Sequence, residues 1–346
     1  MSTAASSSPA SSSSSEALPA DTVDAVVVGG GAAGLNGALM LARSRRSVVV
    51  IDGGEPRNAP ADGVHGLLGR EGMPPAELLA RGRDEVRSYG GRIVAGTVAS
   101  AQPAESVGGD LRFTVSLDDG RTVSARRLLV ATGVRDVLPD VAGLGAHWGH
   151  GVVHCPYCHG WEVRDQPIGV LATGPASAHQ ALLFRQLTDD LVVFAGSVAL
   201  DDATRARFAA RDIRVIDEPV AEVLASDDGA LAGVRLADGR VVDRRVLAVA
   251  TTMHPRLHGL DGLGLPLEDL PQGYGRRVVS GMAGTTDVPG VWVAGNVTDP
   301  TAQVGASAAA GAMAGAHLNA DLVMAETDAA LVRADADAAL VRADAG

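Results

Sequence analysis

The chain has 346 residues, which suggests two domains, and 46% of the residues are hydrophobic while only 3% are aromatic. The formal net charge of −12 argues against a nucleic-acid partner, because proteins that bind a phosphate backbone carry basic patches. The sequence has no apolar run long enough to span a membrane, and its Ser/Ala/Pro-rich start lacks the features of a signal peptide. We therefore expect no membrane contact, a disordered tail over residues 1–22 and a cytoplasmic protein.

The first pattern along the chain is a strand, a glycine-rich turn, a helix and a second strand, within residues 24–52. Gly29 permits a tight turn, Gly31 lets the backbone approach a pyrophosphate, and Gly34 lets the helix pack closely on the strand. Asp52 follows Gly34 by eighteen residues, where an acid meets ribose hydroxyls. The segment predicts a dinucleotide site, the alternative being a glycine-rich turn in another α/β fold. The full turn has the sequence Gly29-Gly30-Gly31-Ala32-Ala33-Gly34.

The chain has only two cysteines, Cys155 and Cys158, and a histidine on each side of them, His154 and His159. Thiols at this spacing close and reopen a small disulfide ring, so they can carry two electrons and two protons. The C-x-x-C-H haem attachment pattern also matches, but haem attachment follows export and no signal peptide is visible. A zinc site needs four ligands, and one short loop is too crowded to supply them. We therefore predict that the two cysteines form a redox pair and bind no metal. For His154, a structural role through a hydrogen bond is at least as well supported as a functional one.

Two later strands end in small residues that bear on the cofactor. Residues 128–133 end in Ala-Thr-Gly, and residues 291–296 end in Ala-Gly-Asn. A helix is predicted over residues 303–320, and its many Ala and Gly residues would let it lie close to a flat ring and to the first nucleotide fold. Residues 328–345 hold a nine-residue repeat twice, which predicts either a helical extension or a frayed end.

Together these motifs resemble the flavoprotein disulfide reductases with two dinucleotide-binding domains, and a C-x-x-C in mid-chain resembles the low-molecular-weight thioredoxin reductases. The resemblance covers residues 23–325. It implies an α/β fold with two Rossmann-like domains: an FAD domain from residues 23–140 and 253–325, and an inserted NADPH-like domain, residues 141–252, that carries the C-x-x-C. Residues 326–346 would form a C-terminal tail.

The same resemblance implies where FAD would bind. The Ala-Thr-Gly strand would pack near FAD, and Asn296 stands where the family has an acid that binds the ribityl chain; an amide can still bond a hydroxyl. The helix that follows would point its N-terminus at the flavin C2 carbonyl and stabilise negative charge on the reduced ring. The implied FAD contacts are Gly29, Gly31, Ala32, Ala33, Gly34, Asp52, Thr132, Gly133, Gly295, Asn296, Gln303 and Val304.

By the same resemblance, the two cysteines have different partners. Cys158 would lie against the flavin and exchange electrons with it, and Cys155 would face the external substrate. Ordinary thioredoxin reductases carry an acid after the second cysteine, where this chain has His159. Imidazole titrates near neutral pH, so we expect His159 to act as general acid and base.

The second nucleotide fingerprint departs from the family. Where Gly-x-Gly-x-x-Ala is expected, the chain has Ala172, Gly174 and Ser177, and Pro175 removes an N–H from the phosphate-facing turn. After the next strand, residues 190–194, the cluster of His and Arg that would bind a 2′-phosphate is missing. The sequence therefore predicts that this domain keeps its fold and has lost its NADPH site. The arginines further on have the spacing of a solvated helix face: Arg205, Arg207 and Arg211.

This combination resembles the thioredoxin-reductase-like dithiol oxidases that close the disulfides of gliotoxin, holomycin and similar natural products. Their FAD loop resembles residues 52–58, from which Arg57 and Asn58, with His65 downstream, would contact FAD. Their active-site loop resembles the sequence Cys155-Pro156-Tyr157-Cys158-His159-Gly160-Trp161-Glu162.

The resemblance implies an enzyme that takes electrons from a small dithiol metabolite or a protein thiol and passes them through FAD to O2, giving H2O2. It also implies a homodimer. Two alternatives remain open. One is an NADPH-dependent thioredoxin reductase, and the other is a non-catalytic, flavin-bound redox sensor.

Overall fold

The computed structural model describes residues 16–344, and the first fifteen residues of the predicted N-terminal tail lie outside that range. In chain order the strands are β1 (Val23–Val28), β2 (Val48–Asp52), β3 (Arg92–Ala95), β4 (Val98–Val107), β5 (Asp110–Leu117), β6 (Thr122–Val130), β7 (Val134–Val137), β8 (Val152–Val153), β9 (Ile168–Leu171), β10 (Leu191–Phe194), β11 (Arg214–Ile216), β12 (Val220–Ala225), β13 (Leu231–Leu236), β14 (Val241–Asp243), β15 (Val246–Val249), β16 (Thr252–Pro255), β17 (Leu267–Asp269), β18 (Arg276–Val278) and β19 (Val291–Val293). The helices are α1 (Ala32–Arg43), α2 (Pro75–Ser88), α3 (Pro156–His159), α4 (Ala176–Phe184), α5 (Asp202–Ala209) and α6 (Val304–Asp344).

The first sheet is built around short, valine-rich strands. β1 and β2 are buried along almost their whole length, as expected for parallel strands that are covered on both faces. The strand order is β3-β2-β1-β6-β5-β4, and β19 pairs in parallel with β6. β6 meets β1 on one side, and on the other side it meets β5 at its start and β19 at its end. The turns that follow β1, β6 and β19 therefore emerge at one edge of the sheet.

The second sheet is entirely parallel, with the order β11-β10-β9-β15-β8. One of its faces packs on the antiparallel strands β12-β13-β14, through buried residues such as Leu247 and Val234. The other face is covered by α4 and α5, which contribute Phe184 and Phe208. The predicted fold class, α/β with two Rossmann-like domains, is confirmed.

Helix α6 lies very close to α1. A Cβ on Gly311 would collide with the carbonyl oxygen of Ala33, and a Cβ on Gly315 would collide with that of Gly37. The small residues therefore allow the close approach that the sequence predicted. α6 does not end near residue 320 but continues to Asp344, because the repeat is rich in Ala and contains neither Gly nor Pro. None of the helices in residues 16–344 is both long and apolar enough to cross a membrane.

Two neighbouring strands connect the sheets. β7 leaves the first sheet, β16 returns to it, and the two pair antiparallel. Arg57 donates hydrogen bonds to both carboxylate oxygens of Asp136 in β7, at 2.6 and 2.7 Å, and to the carbonyl oxygen of Pro300 at 2.7 Å. The hydroxyl of Thr251, next to β16, donates to the same carboxylate at 2.7 Å. This Arg57–Asp136 pair therefore ties both connections to the loop after β2.

Candidate active site

A cleft of about 1060 Å³ between the two sheets collects most of the predicted site residues. It is bordered by the turn after β1, the cysteine pair and one face of α4. Two of the predicted residues, Gly34 and Gly295, are buried and do not line it. The predicted residues that line the cleft are Gly29, Gly31, Ala32, Ala33, Asp52, Arg57, Asn58, His65, Thr132, Gly133, Cys155, Cys158, His159, Asn296, Gln303 and Val304.

The turn after β1 is shaped to receive a phosphate group. Gly29 has a φ of +112°, and a Cβ there would collide with the backbone of Ala131. Gly34 packs directly on Gly29, since a Cβ on Gly34 would collide with the Gly29 carbonyl oxygen. Gly31 precedes the first turn of α1, and no atom of the described residues lies within 4 Å of the position that its Cβ would take. The first N–H groups of α1 therefore face an open cleft.

The acid at the end of β2 is held by an arginine that the sequence did not single out. Arg83 on α2 donates to Oδ2 of Asp52 at 2.8 Å, and the N–H of Gly54 donates to its Oδ1 at 2.9 Å. The carboxylate is therefore fixed at the rim of the cleft. Oδ2 also accepts a hydrogen bond from the Nε of Arg83 at 3.2 Å, so Oδ1 is the oxygen that keeps a lone pair for a ribose hydroxyl.

Cys155 and Cys158 form a disulfide at α3, with their Cα atoms 5.2 Å apart. Cys155 is the N-cap of α3, and Pro156 is its first residue, a position that needs no N–H. Gly160 follows the helix, where a Cβ would collide with the carbonyl oxygen of Pro156. Tyr157, between the cysteines, leaves 69% of its surface exposed. The short helix therefore holds the disulfide at the cleft and turns the intervening side chain toward solvent.

His159 is a partly buried imidazole beside the disulfide, and neither ring nitrogen has a hydrogen-bond partner among the described residues. Burial lowers the pKa of His159, and the negative charge of Glu162 opposes that shift. The ring is therefore neutral at pH 7 and can accept a proton. The Nδ1 of His154 lies 3.0 Å from the carbonyl oxygen of Val249, so the structural hydrogen bond considered for His154 is present. Burial lowers the pKa of His154 as well.

The turn after β9 is closed by its own side chains. The buried Oγ of Ser177 accepts a hydrogen bond from the N–H of Thr173 at 3.0 Å. Pro175 stands just before α4 and has no N–H to offer. Compared with the turn after β1, this one presents fewer donors to a phosphate.

The next turn, after β10, is acidic. Asp201 is the N-cap of α5 and accepts a hydrogen bond from the N–H of Thr204 at 2.7 Å. Arg205 pairs with Asp217 at 2.7 Å. Arg205 and Arg207 lie exposed on α5, as predicted. Arg211 lies beyond the end of that helix.

Comparison with known proteins gives the family. The model of the Pyridine nucleotide-disulphide oxidoreductase family matches residues 23–316. The chain belongs to this family. Thioredoxin reductase tcpT of Claviceps purpurea is 33% identical over 311 residues, which are 87% of this chain and 95% of the relative.

Two solved structures are similar over nearly the whole chain. HlmI has 44% sequence identity and a TM-score of 0.84, over 92% of this chain and 98% of HlmI. An oxidoreductase from Agrobacterium tumefaciens has 34% identity and a TM-score of 0.81, over 88% of this chain and 99% of that protein. The resemblance predicted from the sequence is confirmed, and the protein is a disulfide oxidoreductase.

FAD is the cofactor of this pyridine nucleotide-disulphide oxidoreductase, and the cleft fits it. The hydroxyl of Thr132 is buried without a hydrogen-bond partner in the described part of the chain, as expected for a group that a cofactor completes. Gly295 has a φ of +74°, and a Cβ there would lie 2.7 Å from the Cβ of Ala33. Glycine at this position therefore lets the turn after β19 pack closely on the start of α1.

The side chain of Asn296 is engaged in its own loop. Its Nδ2 donates to the carbonyl oxygens of Asp299 at 3.0 Å, Pro300 at 3.3 Å and Ala302 at 2.8 Å. A carboxylate could not make these contacts, because it has no hydrogen to donate. Only the Oδ1 of Asn296 remains for a ribityl hydroxyl, and that contact stays a prediction.

The N-terminus of α6 points into the cleft. Helix α6 begins at Val304, and both Val304 and the preceding Gln303 line the cleft. The N-terminal end of a helix carries a partial positive charge, which suits a ring that becomes negative on reduction. Contacts of Gln303 and Val304 with the flavin stay a prediction.

The structure gives Arg57 and His65 partners within the protein. Arg57 is held in the pair described above. The Nδ1 of His65 lies 2.6 Å from the Oε1 of Glu71, and its Nε2 lies 3.5 Å from the Oε1 of Glu162, which follows the cysteine pair. Asn58 lines the cleft. FAD contacts from these three residues therefore remain predictions. Asp136 and Glu162 were missed as partners because they are distant in sequence from Arg57 and His65, whereas Glu71 lies only six residues from His65.

Proposed function

We propose that this disulfide oxidoreductase is a dithiol oxidase, which closes a disulfide in its substrate and passes two electrons through FAD to O2, giving H2O2. The observation that carries the proposal is the contrast between its two nucleotide turns. The turn at Gly31 leaves the N-terminus of α1 open. In the turn after β9, Ser177 takes the N–H of Thr173, and Pro175 supplies none. Such an enzyme is suited to accept electrons from thiols and poorly suited to accept them from NADPH.

Two thiol exchanges complete the substrate's oxidation. A substrate thiolate attacks the Sγ of Cys155, the disulfide breaks, and Cys158 leaves as a thiolate. The second substrate thiolate attacks the mixed disulfide, so the substrate departs as a disulfide and Cys155 is reduced. His159, kept neutral by burial, takes a proton from an attacking thiol. FAD, when bound, supplies the two-electron path from Cys158 to O2.

The substrate in this proposal is a small dithiol metabolite or a protein thiol, and the working form is a homodimer. The exposed Tyr157 leaves the outer side of the redox loop open to either kind of substrate. The alternative is an NADPH-dependent thioredoxin reductase. The name of the relative tcpT favours it, but it requires phosphate donors, and the turn after β9 presents fewer of them than the turn after β1.

Anaerobic reduction of the bound flavin distinguishes these two functions. We expect excess dithiothreitol to bleach the visible absorbance of the flavin, because the thiols enter through the disulfide. Excess NADPH should leave the absorbance unchanged over the same time. Rapid bleaching by NADPH alone would contradict the oxidase and favour the reductase.

Substitution of the outer cysteine tests the route. Cys155→Ser should abolish H2O2 production during dithiol oxidation in air, since serine cannot form the mixed disulfide. Tyr157→Phe is the matched control, because it keeps the loop and both thiols. H2O2 production that continues undiminished in Cys155→Ser would remove this cysteine from the mechanism.

A further inference from the structure

Most of the buried polar atoms without partners belong to residues that line the cleft. Within residues 16–336 such atoms are the two ring nitrogens of His159, the hydroxyl oxygen of Thr132, the Oε1 of Gln180 and the Nε of Arg244. All of these residues except Arg244 line the cleft. A bound FAD would explain the missing partner of the Thr132 hydroxyl, and a role in proton transfer would explain the free ring nitrogens of His159. Neither accounts for Gln180.

Gln180 is tied to the residue next to the outer cysteine. It lies on α4, on the face that borders the cleft, and only 7% of its surface is exposed. Its Nε2 donates to the carbonyl oxygen of His154 at 2.7 Å. The Oε1 of the same amide is buried and accepts no hydrogen bond from the described residues. Leaving a buried acceptor without a donor costs about 1–3 kcal/mol.

The catalytic cycle creates a donor in this region. The oxidised cysteine pair has no S–H group to offer this acceptor. Opening the disulfide instead produces two thiols within the protein. One of them, on Cys155, belongs to the residue that follows His154, whose carbonyl already holds the Gln180 amide. The second thiol, on Cys158, lies next to His159.

We propose that Gln180 is a positioning residue whose Oε1 accepts a hydrogen bond from the thiol of reduced Cys155, and so stabilises the dithiol state of the pair. In the balanced step, two electrons from the substrate dithiol break the Cys155–Cys158 bond, and one of the two protons stays on Cys155 as the S–H donor. The inference rests on the redox cycling in the proposed function, but it does not depend on whether O2 or NADPH lies at the other end.

The test is the thiol–disulfide equilibrium of the FAD-loaded protein in anaerobic glutathione buffers, with thiols trapped by alkylation and counted by mass spectrometry. Gln180→Leu removes the acceptor, and we expect the equilibrium to move about tenfold toward the disulfide, roughly 30 mV. Gln180→Glu keeps an acceptor and strengthens it. It should move the equilibrium the other way and raise the pKa of Cys155, measured from the pH dependence of alkylation.

A merely structural role for Gln180 predicts something else. Loss of the bond to His154 is common to both variants, so a loosened loop would shift both equilibria in the same direction. Leu182→Ala is the matched control, because it weakens the packing of α4 without lining the cleft, and it should leave the equilibrium unchanged. Equal shifts in the Leu and Glu variants, or no shift in either, would overturn the proposal. The equilibrium is measured without turnover, so failure of the oxidase itself would be seen separately, in the H2O2 assay.

Discussion

His159 lies directly after Cys158 with two unpartnered ring nitrogens in the described structure, and burial keeps its pKa below the usual value. A neutral imidazole in this position can take a proton from a thiol at pH 7. Ordinary thioredoxin reductases have a carboxylic acid there, by the resemblance drawn from the sequence. Because its pKa is lowered, the imidazole of His159 stays unprotonated, and so able to act as a base, at lower pH than an ordinary histidine.

His159→Gln tests this role through its pH dependence. We expect the rate of flavin reduction by a dithiol at pH 7 to fall by about 10²–10⁴-fold, the usual contribution of a general base. In the wild type the rate should fall as the pH drops through the pKa of His159, below about 6.5, because protonation removes the base. The variant should lack that acid limb.

Stopped-flow absorbance under anaerobic conditions measures both effects. His254→Gln, another histidine that lines the cleft, is the control and should keep the acid limb. An unchanged pH profile in His159→Gln would assign the proton transfer to another group.

The residues that carry chemistry by their type and spacing could be predicted, and those that act through distant contacts could not. The cysteine pair and the glycine-rich turn are recognisable within a few residues. Arg83, by contrast, contacts an acid 31 positions away, Asp136 pairs with an arginine 79 positions away, and Gln180 bonds a carbonyl 26 positions away. No local pattern marks such residues, because only the folded chain brings the partners together.

At the scale of elements, the contact between α1 and α6 depends on glycine. The sequence predicted a helix of small residues and its close approach, since Ala and Gly were dense over residues 303–320. It did not fix the end of the helix at Asp344. The repeat has good helix formers and no stop signal, so nothing in it distinguishes an ordered extension from a frayed one.

Gly311→Ala should destabilise the protein by about 1–3 kcal/mol, because the new Cβ collides with the backbone of α1 and cannot be accommodated by a side-chain rotation. Gly305→Ala, the same change in the same helix, meets only an ordinary contact with Leu67 and should be neutral or slightly stabilising. Denaturant unfolding measures both. Equal stability of the two variants would show that the helices can separate without cost.

At the scale of the whole molecule, the connection between the two sheets, made by β7 and β16, was not predicted from the sequence. β7 and β16 are four residues each and mix apolar with charged or polar residues, so neither resembles a core strand. Their pairing is secured by Asp136. Burial tends to raise the pKa of Asp136, but the hydrogen bonds and charge of Arg57 outweigh this and hold the pKa below its usual value.

Asp136→Asn should therefore lower the free energy of unfolding by about 1.5–3 kcal/mol at pH 7, the range for hydrogen bonds to charged groups. Because the folded pKa is depressed, the stabilisation is complete above the unfolded value of about 3.9 and is lost as the pH falls through the folded value. The stability gap between wild type and variant should thus persist from pH 7 to about pH 5 and shrink below about pH 4.

Thermal unfolding at several pH values measures this gap. Asp189→Asn is the control, since Asp189 pairs with Arg185 at 2.6 Å but is 98% exposed, and surface pairs contribute little. A gap that stays constant down to pH 3 would contradict the assignment of the stabilisation to the Asp136 carboxylate.

The pairing of β7 with β16 also bears on how such a protein can arise. Val137 lies opposite Thr252, so residues 138–251 begin and end at neighbouring positions. A segment whose two ends lie close together can be inserted or exchanged without changing the path of the chain on either side. The redox loop and the closed turn after β9 both lie inside the segment. We therefore expect that replacing residues 138–251 would leave the path of the flanking chain unchanged.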